Sequence, residues 1–136
     1  MKDAEIIIHT DGGARGNPGP AACAFVAEVG DKIIEKRSRY LGVATNNYAE
    51  YQGLILAMQW LPAKSQIFFY LDSELVVKQL TGLYKVKNQN LKKLNDEIMG
   101  IVKEKQLTVV FKSIPREKNT IADALVNKEL DENPNN

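Results

Sequence analysis

The order of strand-like and helix-like apolar patterns constrains the fold of this chain more than any other feature. Short β-branched or alternating apolar runs predict five strands, over residues 5–10, 21–29, 32–41, 66–71 and 107–114. Apolar residues at helical spacing predict four helices, over residues 45–61, 73–82, 90–105 and 120–130, with Thr45, Ser73 and Thr120 as candidate caps. The order β-β-β-α-β-α-α-β-α predicts a meander followed by βαβ units. We therefore expect an α/β fold with a mixed sheet and helices packed against it.

Length and composition fit one globular domain. The chain has 136 residues, of which 44% are hydrophobic and 26% charged, which is ordinary for a folded domain. We expect the domain to cover residues 1–130 and a polar tail to occupy residues 131–136. No apolar run is long enough for a membrane span, and the N-terminus lacks a secretory pattern. The single cysteine, Cys23, cannot form an internal disulfide, so we expect a cytoplasmic protein. A monomer is the default expectation for a small domain with no evident apolar patch.

The charge is unevenly distributed along the chain. The net charge is only +1, but residues 85–118 contain nine Lys or Arg against four Asp or Glu. This segment fits a solvated face and also fits a surface that faces phosphates. Composition alone leaves both interpretations open.

Four carboxylates occur where apolar elements end or begin. Asp11 follows the apolar run 6–8, and Asp72 follows the apolar run 67–71. If those strands are parallel neighbours, both side chains lie at the same edge of the sheet, where α/β proteins bind ligands. Glu50 and Asp123 each lie near the start of a predicted helix and could face that edge. Four acidic groups in one pocket would repel one another unless a divalent cation neutralised them.

Each carboxylate also has a structural explanation when it is taken singly. The helix dipole favours an acidic residue in a first turn, which suits Glu50 and Asp123. Asp72 precedes Ser73 and could be a turn or capping residue, and Asp11 precedes two glycines. The four together, in distinct local contexts, favour a functional site.

Short motifs around these carboxylates occur in a recognisable order. They are TDGG at 10–13, RGNPGP at 15–20, TNNYAE at 45–50, LDS at 71–73, PREKN at 115–119 and ADALVN at 122–127. In these motifs and in its element order, essentially the whole domain resembles a type 1 ribonuclease H. The resemblance implies a five-stranded mixed sheet whose second strand is antiparallel to the rest. It also implies hydrolysis of the RNA strand of RNA/DNA hybrids, leaving 3′-hydroxyl and 5′-phosphate ends.

The resemblance further implies a site with two metal ions. The four acidic positions of the family match Asp11, Glu50, Asp72 and Asp123, which would hold two Mg²⁺ ions, with Mn²⁺ as a possible substitute. Asp11 would contact both ions, Glu50 and Asp72 would hold one side, and Asp123 the other. His9 is the only histidine, so a histidine-based metal site is excluded.

Substrate contacts are also implied by the resemblance. The matching positions are Gly12, Gly13, Asn17, Asn46 and Asn47, near the minor groove and the RNA 2′-hydroxyls. Thr45 matches a residue that holds a DNA phosphate, although helix capping explains it equally well. Ser73 and Glu74 stand where many relatives have Ser-Gln, and Glu74 cannot donate the amide hydrogen bond of Gln. Cleavage of double-stranded RNA stays open.

Two departures from the family pattern stand out. The loop at 113–119 lacks the histidine that many relatives place there, and Arg116 or Glu117 could substitute for it. The short connection at 84–90 leaves no room for a basic helical protrusion. Lys85, Lys87 and neighbouring lysines would then give a weaker, strongly salt-dependent grip.

Two other functions are compatible with the sequence. One is a non-catalytic module that binds hybrids or duplexes, and the other is a different nuclease of the same fold. Four intact acidic positions argue against a pure binder, because they would repel phosphate. The Asn46–Asn47 pair together with the glycine-rich segment argues against a resolvase or transposase core.

Overall fold

The computed structural model of the chain describes residues 5–133. In this range the chain forms five strands, four α-helices and one short 3₁₀ turn. They are β1 (Ile6–Ala14), β2 (Gly19–Val29), β3 (Lys32–Ala44), α1 (Asn46–Trp60), β4 (Gln66–Leu71), α2 (Glu74–Leu80), α3 (Gln89–Glu104), β5 (Thr108–Ser113), the 3₁₀ turn (Arg116–Lys118) and α4 (Thr120–Glu132). The predicted α/β class and element order are confirmed.

The strands form one mixed sheet in the order β3-β2-β1-β4-β5. Strand β2 pairs antiparallel with β1 and with β3, whereas β1, β4 and β5 pair in parallel. The expectation of a second strand antiparallel to the rest is therefore confirmed. Because β1 and β4 are parallel neighbours, their carboxyl ends lie side by side at one edge.

Helices cover the two faces of the sheet unequally. The main core lies between the sheet and α1, α2 and α3, and it contains Ile8, Phe25, Tyr51 and Phe69 among other fully buried side chains. Helix α4 packs on the opposite face, where a smaller cluster joins Val126 and Leu130 to alanines of β2. The small alanine side chains let α4 lie close to the sheet, near the end of β1.

Strand β1 is longer than the sequence indicated. We expected the strand to end before Asp11 and a turn to begin at Gly12, but β1 continues to Ala14. Gly12 and Gly13 pair with Cys23 and Ala22 of β2. Glycine pairs are typical of turns, but here the missing Cβ serves packing, because a Cβ on Gly12 would clash with the backbone of Ala49 in α1.

Helix α4 differs from the expectation at both ends. Thr120 is its first residue, and Asn119 occupies the N-cap position without a capping side-chain hydrogen bond. The helix continues to Glu132, so the expected boundary between domain and tail at residue 130 falls inside it. The last three residues of the expected tail lie outside the described residues.

The connection between α2 and α3 is short. Residues 81–88 join the two helices directly, and within the described chain no additional helix lies between them. Lys85 and Lys87 of this connection are exposed. Over residues 5–133 none of the helices has the length and apolar character needed to cross a bilayer.

Candidate active site

Three buried or half-buried carboxylates lie together at the edge where β1 and β4 end. One oxygen from each of Asp11, Glu50 and Asp72 lies within 4.8 Å of the others. Asp11 is 6% exposed and Glu50 8% exposed. Strand β1, helix α1 and the end of β4 each contribute one of these groups, so the cluster depends on the tertiary fold.

Two glycines bring α1 close enough to β1 to form this cluster. Gly12 in β1 leaves room for the backbone of Ala49, and Gly53 in α1 leaves room for the backbone of Asp11. A Cβ on Gly53 would lie 2.9 Å from the carbonyl oxygen of Asp11. Gly53 was not a candidate from sequence, although a glycine inside a helix, where it costs stability, was an available signal.

Burial and mutual repulsion disfavour the ionised forms of the cluster. Burial, and then the neighbouring Asp72 carboxylate, raise the pKa of Asp11 to about 7, although the Gly12 amide donates a hydrogen bond of 2.9 Å to its Oδ1. Burial, and then Asp11, raise the pKa of Glu50 well above its usual range. Within residues 5–133 no group hydrogen-bonds the buried Oε2 of Glu50. Such a cluster is stable in ionised form only when a cation balances it.

Asp123 faces the same cavity from α4 but lies outside the 4.8 Å group. The cavity has a volume of about 450 Å³, and all four carboxylates line it. Oδ1 of Asp123 lies 3.9 Å from Nη2 of Arg116, and its Oδ2 accepts a hydrogen bond of 3.3 Å from Asn127. The fold therefore brings three of the four predicted carboxylates together and holds the fourth across the cavity.

Asn119 anchors the start of α4 beside the cluster. Its side chain is 1% exposed, and its Nδ2 donates a hydrogen bond of 2.8 Å to the carbonyl oxygen of Thr10, next to Asp11. This bond joins the helix that contains Asp123 to the strand that contains Asp11. Sequence reasoning noted Asn119 only as part of a motif, and the burial that defines its role has no local signal.

Two asparagines, Asn17 of the glycine-rich segment and Asn46 at the start of α1, join these two parts of the chain by hydrogen bonds. Oδ1 of Asn46 accepts a hydrogen bond of 2.8 Å from the backbone amide of Ala14. The backbone amide of Asn46 donates a hydrogen bond of 2.9 Å to Oδ1 of Asn17. These bonds fix the turn after β1 against the start of α1. Gly13 has open space where a Cβ would lie, whereas that space at Gly12 is filled by α1.

A second groove lies beside the start of α1. It has a volume of about 460 Å³, and its lining includes Asn17, Thr45, Asn47 and Tyr48. Oγ1 of Thr45 accepts a hydrogen bond of 3.2 Å from the Tyr48 amide, so Thr45 caps the helix while it faces the groove. The predicted substrate residues thus fall on two neighbouring surfaces, the carboxylate cavity and this groove.

The remaining candidates lie at the margin or outside both surfaces. Ser73 caps α2, since its Oγ accepts a bond of 3.2 Å from the Val76 amide. Glu74 is exposed and forms an ion pair of 2.7 Å with Lys78. Of the two loop candidates, Arg116 lines the carboxylate cavity, whereas Glu117 is not among the described residues that line it.

A mixed sheet in this order, with an acidic cluster where its central parallel strands end, defines the RNase H-like fold. A family model described as reverse transcriptase-like matches residues 9–129. Ribonuclease HI of Halobacterium salinarum is 38% identical over 139 aligned positions, which cover 96% of this chain and 67% of that protein. The chain belongs to the type 1 ribonuclease H family.

Solved structures agree with this assignment. LC11-RNase H1, from compost, in complex with an RNA/DNA hybrid superposes with a TM-score of 0.89 at 43% identity, covering 93% of this chain and 97% of that one. The N-terminal RNase H domain of Rv2228c from Mycobacterium tuberculosis superposes with a TM-score of 0.87 at 35% identity, covering 95% of each chain. This chain spans only 36% of the full length of that bifunctional mycobacterial protein.

Proposed function

We propose that the protein is an endonuclease that hydrolyses the RNA strand of RNA/DNA hybrids in a metal-dependent reaction. The observation that carries the proposal is the group of three carboxylates within 4.8 Å, two of them almost fully buried. A family relative that binds an RNA/DNA hybrid, and of which this chain covers 97%, supports the choice of substrate. We propose 5′-phosphate and 3′-hydroxyl product ends.

The carboxylate cavity fits divalent cations. Glu50 has a buried oxygen without a hydrogen-bond partner in the described chain, and the raised pKa of Asp11 reflects burial among other acids. We propose two ions per site. Asp11, Glu50 and Asp72 would hold metal on one side of the cavity, and Asp123 would hold it on the other. Oxygen ligands of this kind suit Mg²⁺, with Mn²⁺ as a substitute. When bound, the ions would supply a more acidic water and neutralise charge at the leaving oxygen.

Arg116 is the residue that we propose in place of the missing loop histidine. Its side chain is exposed and lies 3.9 Å from Asp123 at the rim of the cavity. A guanidinium has hydrogen-bond donors and no acceptor, so Arg116 cannot act as a base. Its role would be electrostatic, holding a product phosphate and moderating the charge of Asp123. Glu117 is not among the described residues that line the cavity, so it is the weaker candidate.

The two surfaces suit the two strands of a hybrid. Gly13 and Asn46 line the carboxylate cavity and Asn17 lines the groove, and from there they would approach the minor groove and the RNA 2′-hydroxyls. Thr45 and Asn47, in the groove, would contact the DNA strand. Ser73 and Glu74 would contribute less, because Ser73 caps α2 and Glu74 is paired with Lys78.

We also propose a cellular location and an oligomeric state for the protein. Cys23 is a buried free thiol, and an unpaired cysteine suits a reducing compartment such as the cytoplasm. We propose that the protein acts as a monomer, since one chain supplies all four carboxylates.

A strand-specific assay tests the proposed function. RNA/DNA hybrid, double-stranded RNA and double-stranded DNA, each with one labelled strand, are incubated with Mg²⁺, Mn²⁺ or EDTA. We expect loss of the RNA strand of the hybrid with either metal and none in EDTA, and the new 5′ ends should be sensitive to phosphatase. Hybrid binding without cleavage in either metal would favour a non-catalytic module, and cleavage of double-stranded DNA would favour another nuclease.

A further inference from the structure

Arg15 lies at the rim of the carboxylate cavity with no role in the reaction described above. It follows β1 and lines the cavity together with the four carboxylates. Its Nη2 lies 2.7 Å from Oδ1 of Asp131 and 3.5 Å from both the carbonyl oxygen and Oδ1 of Asn127. One guanidinium nitrogen therefore makes all the described hydrogen bonds and ion pairs of the Arg15 side chain, and they join the end of β1 to α4.

The partners of Arg15 form a polar row on one face of α4. Asp123, Asn127 and Asp131 are spaced four residues apart, so their side chains follow one another along the helix. Asn127 donates to Oδ2 of Asp123 and lies beside Arg15. The row holds the guanidinium two helical turns from Asp123, facing the mouth of the cavity.

The energetics of the ion pair argue against a purely structural role. The side chains of Arg15 and Asp131 are 47% and 68% exposed. Ion pairs in such exposed settings add little to stability, and the two bonds to Asn127 are at the limit of hydrogen-bond length. Because these contacts are weak, the guanidinium can exchange them for a stronger partner at small cost. A phosphate is such a partner, since it accepts two parallel hydrogen bonds from one guanidinium.

The negative charge of the cavity favours a second cationic side chain beside Arg116. Four carboxylates line it, and the cations among its described lining residues are Arg15 and Arg116. These two arginines flank Asp123 and Asn127 from opposite ends of the polar row. A nucleic-acid strand that enters the cavity brings one negative charge per nucleotide, which the carboxylates alone would repel.

We propose that Arg15 binds a backbone phosphate of the RNA strand next to the phosphate that is cut. This proposal rests on the proposed function, because it assumes that the RNA strand occupies the carboxylate cavity. Asp131 and Asn127 hold Arg15 in place before substrate arrives. The guanidinium then turns from Asp131 to the phosphate without a large change of the backbone.

The test measures hybrid binding in a background that does not cut. Arg15→Gln, Arg15→Lys and Asp131→Asn are each combined with Asp72→Asn, and affinity is measured by fluorescence anisotropy in Mg²⁺ over a range of salt. Arg37→Gln is the matched control, since Arg37 is an exposed arginine in a comparable ion pair with Glu35, away from the cavity. We expect Arg15→Gln to weaken binding about tenfold. The slope of log affinity against log salt should fall by about 1.

Asp131→Asn separates binding from structure. It breaks the same ion pair. If Arg15 had only a structural role, the two variants Arg15→Gln and Asp131→Asn would show the same loss of affinity and the same loss of melting temperature. We expect the affinity loss only in Arg15→Gln, with partial recovery in Arg15→Lys, which keeps the charge. Equal losses in both variants, or an unchanged salt slope, would overturn the proposal.

Modified hybrids identify the phosphate. Single RNA linkages near the cut site are replaced, one at a time, by uncharged methylphosphonates. At one position the methylphosphonate should lower the hybrid affinity of the protein that retains Arg15, while the affinity of the Arg15→Gln variant stays the same. Such a difference indicates a direct contact between Arg15 and that phosphate. Coupling to a DNA-strand linkage instead would overturn the assignment to the RNA strand. If the Asp72→Asn protein with Arg15 intact does not bind hybrid at all, the proposed function itself fails, and the proposed role of Arg15 fails with it.

Discussion

Gly53 of α1 packs directly on the backbone of Asp11, so that a Cβ at position 53 would lie 2.9 Å from the Asp11 carbonyl oxygen. This close approach places Glu50, one helical turn earlier, beside the Asp11 carboxylate. The geometry of the acidic cluster is therefore set by a residue that has no chemistry of its own.

Gly53→Ala should impair both stability and turnover. Alanine improves helix propensity by about 1 kcal/mol at most, but forcing a methyl group against fixed backbone costs about 1–3 kcal/mol. We expect a net loss in the free energy of unfolding, measured by urea denaturation, and a lower kcat because Glu50 moves away from Asp11. Gly100→Ala in α3 is the matched control, since beyond the adjacent residues and the local helix backbone no described atom lies within 4 Å of its would-be Cβ. That variant should be slightly more stable and fully active. A stabilised, fully active Gly53→Ala would contradict the packing argument.

The stability of the metal-free protein should fall as pH rises between about 4 and 7. Asp11 has a pKa of about 7 in the folded chain against 3.8 ordinarily. In this window the unfolded chain has ionised Asp11 while the native protein retains the proton, so ionisation favours unfolding. Below pH 4 the group is protonated in both states and has no effect. Asp11→Asn should thus be more stable than wild type at pH 8, by roughly 2–4 kcal/mol, and equal to it near pH 3.5.

Thermal melts in EDTA across this range measure the effect. Added Mg²⁺ should raise the melting temperature of the wild type at pH 8 and leave Asp11→Asn less affected, because ligand binding stabilises only the state that binds. A difference between the two proteins that is the same at pH 3.5 and pH 8 would argue against a buried, strained Asp11.

Asn119→Ala should loosen α4 from β1. The variant loses the buried hydrogen bond to the Thr10 carbonyl, at a cost of about 1–3 kcal/mol. Because that bond fixes the start of α4, Asp123 should also be displaced and kcat should fall. Asn133→Ala removes a similar bond, to the Glu129 carbonyl, at the far end of the same helix. If both variants lost stability but kept the same kcat, Asn119 would have no influence on the site.

His9 should not be required for activity. It lies in β1 with its ring 5.4 Å from that of Tyr70, and burial lowers its pKa although Glu28 opposes the effect. It is not among the described residues that line the carboxylate cavity. His9→Gln should leave the pH dependence of kcat unchanged around pH 6.5. An inflection in the wild-type profile that disappears in His9→Gln would show that this histidine takes part in the reaction.

The sequence could predict those parts of the site that depend on strand direction. Asp11 and Asp72 follow apolar strand runs, and parallel pairing of β1 with β4 brings their ends together. Caps such as Thr45 and Ser73 were also predictable, because capping depends on residues three positions away. These features depend on residues that are close together in the sequence, so local patterns were enough to predict them.

Features that depend on close contact between distant segments could not be read in the same way. Gly12 looked like a turn residue and is a strand residue, because it pairs with Cys23 of β2 and packs against the backbone of Ala49 in α1. Asp123 shares with Glu50 a place near the start of a helix, but its position across the cavity depends on how α4 packs on the alanines of β2. Burial of Asn119 and the reach of Arg15 to Asp131 likewise arise only from tertiary structure.

In the proposed function, the acidic cluster drives metal-dependent cleavage of the RNA strand. The most direct measurement compares kcat for a labelled hybrid in saturating Mg²⁺ between wild type, Asp72→Asn and the control Asp96→Asn, whose carboxylate is exposed on α3. Removing one ligand of the cluster should lower kcat at least about a thousandfold, while Asp96→Asn stays within twofold of wild type. Cleavage by Asp72→Asn at a rate near that of wild type would show that the reaction does not need the acidic cluster.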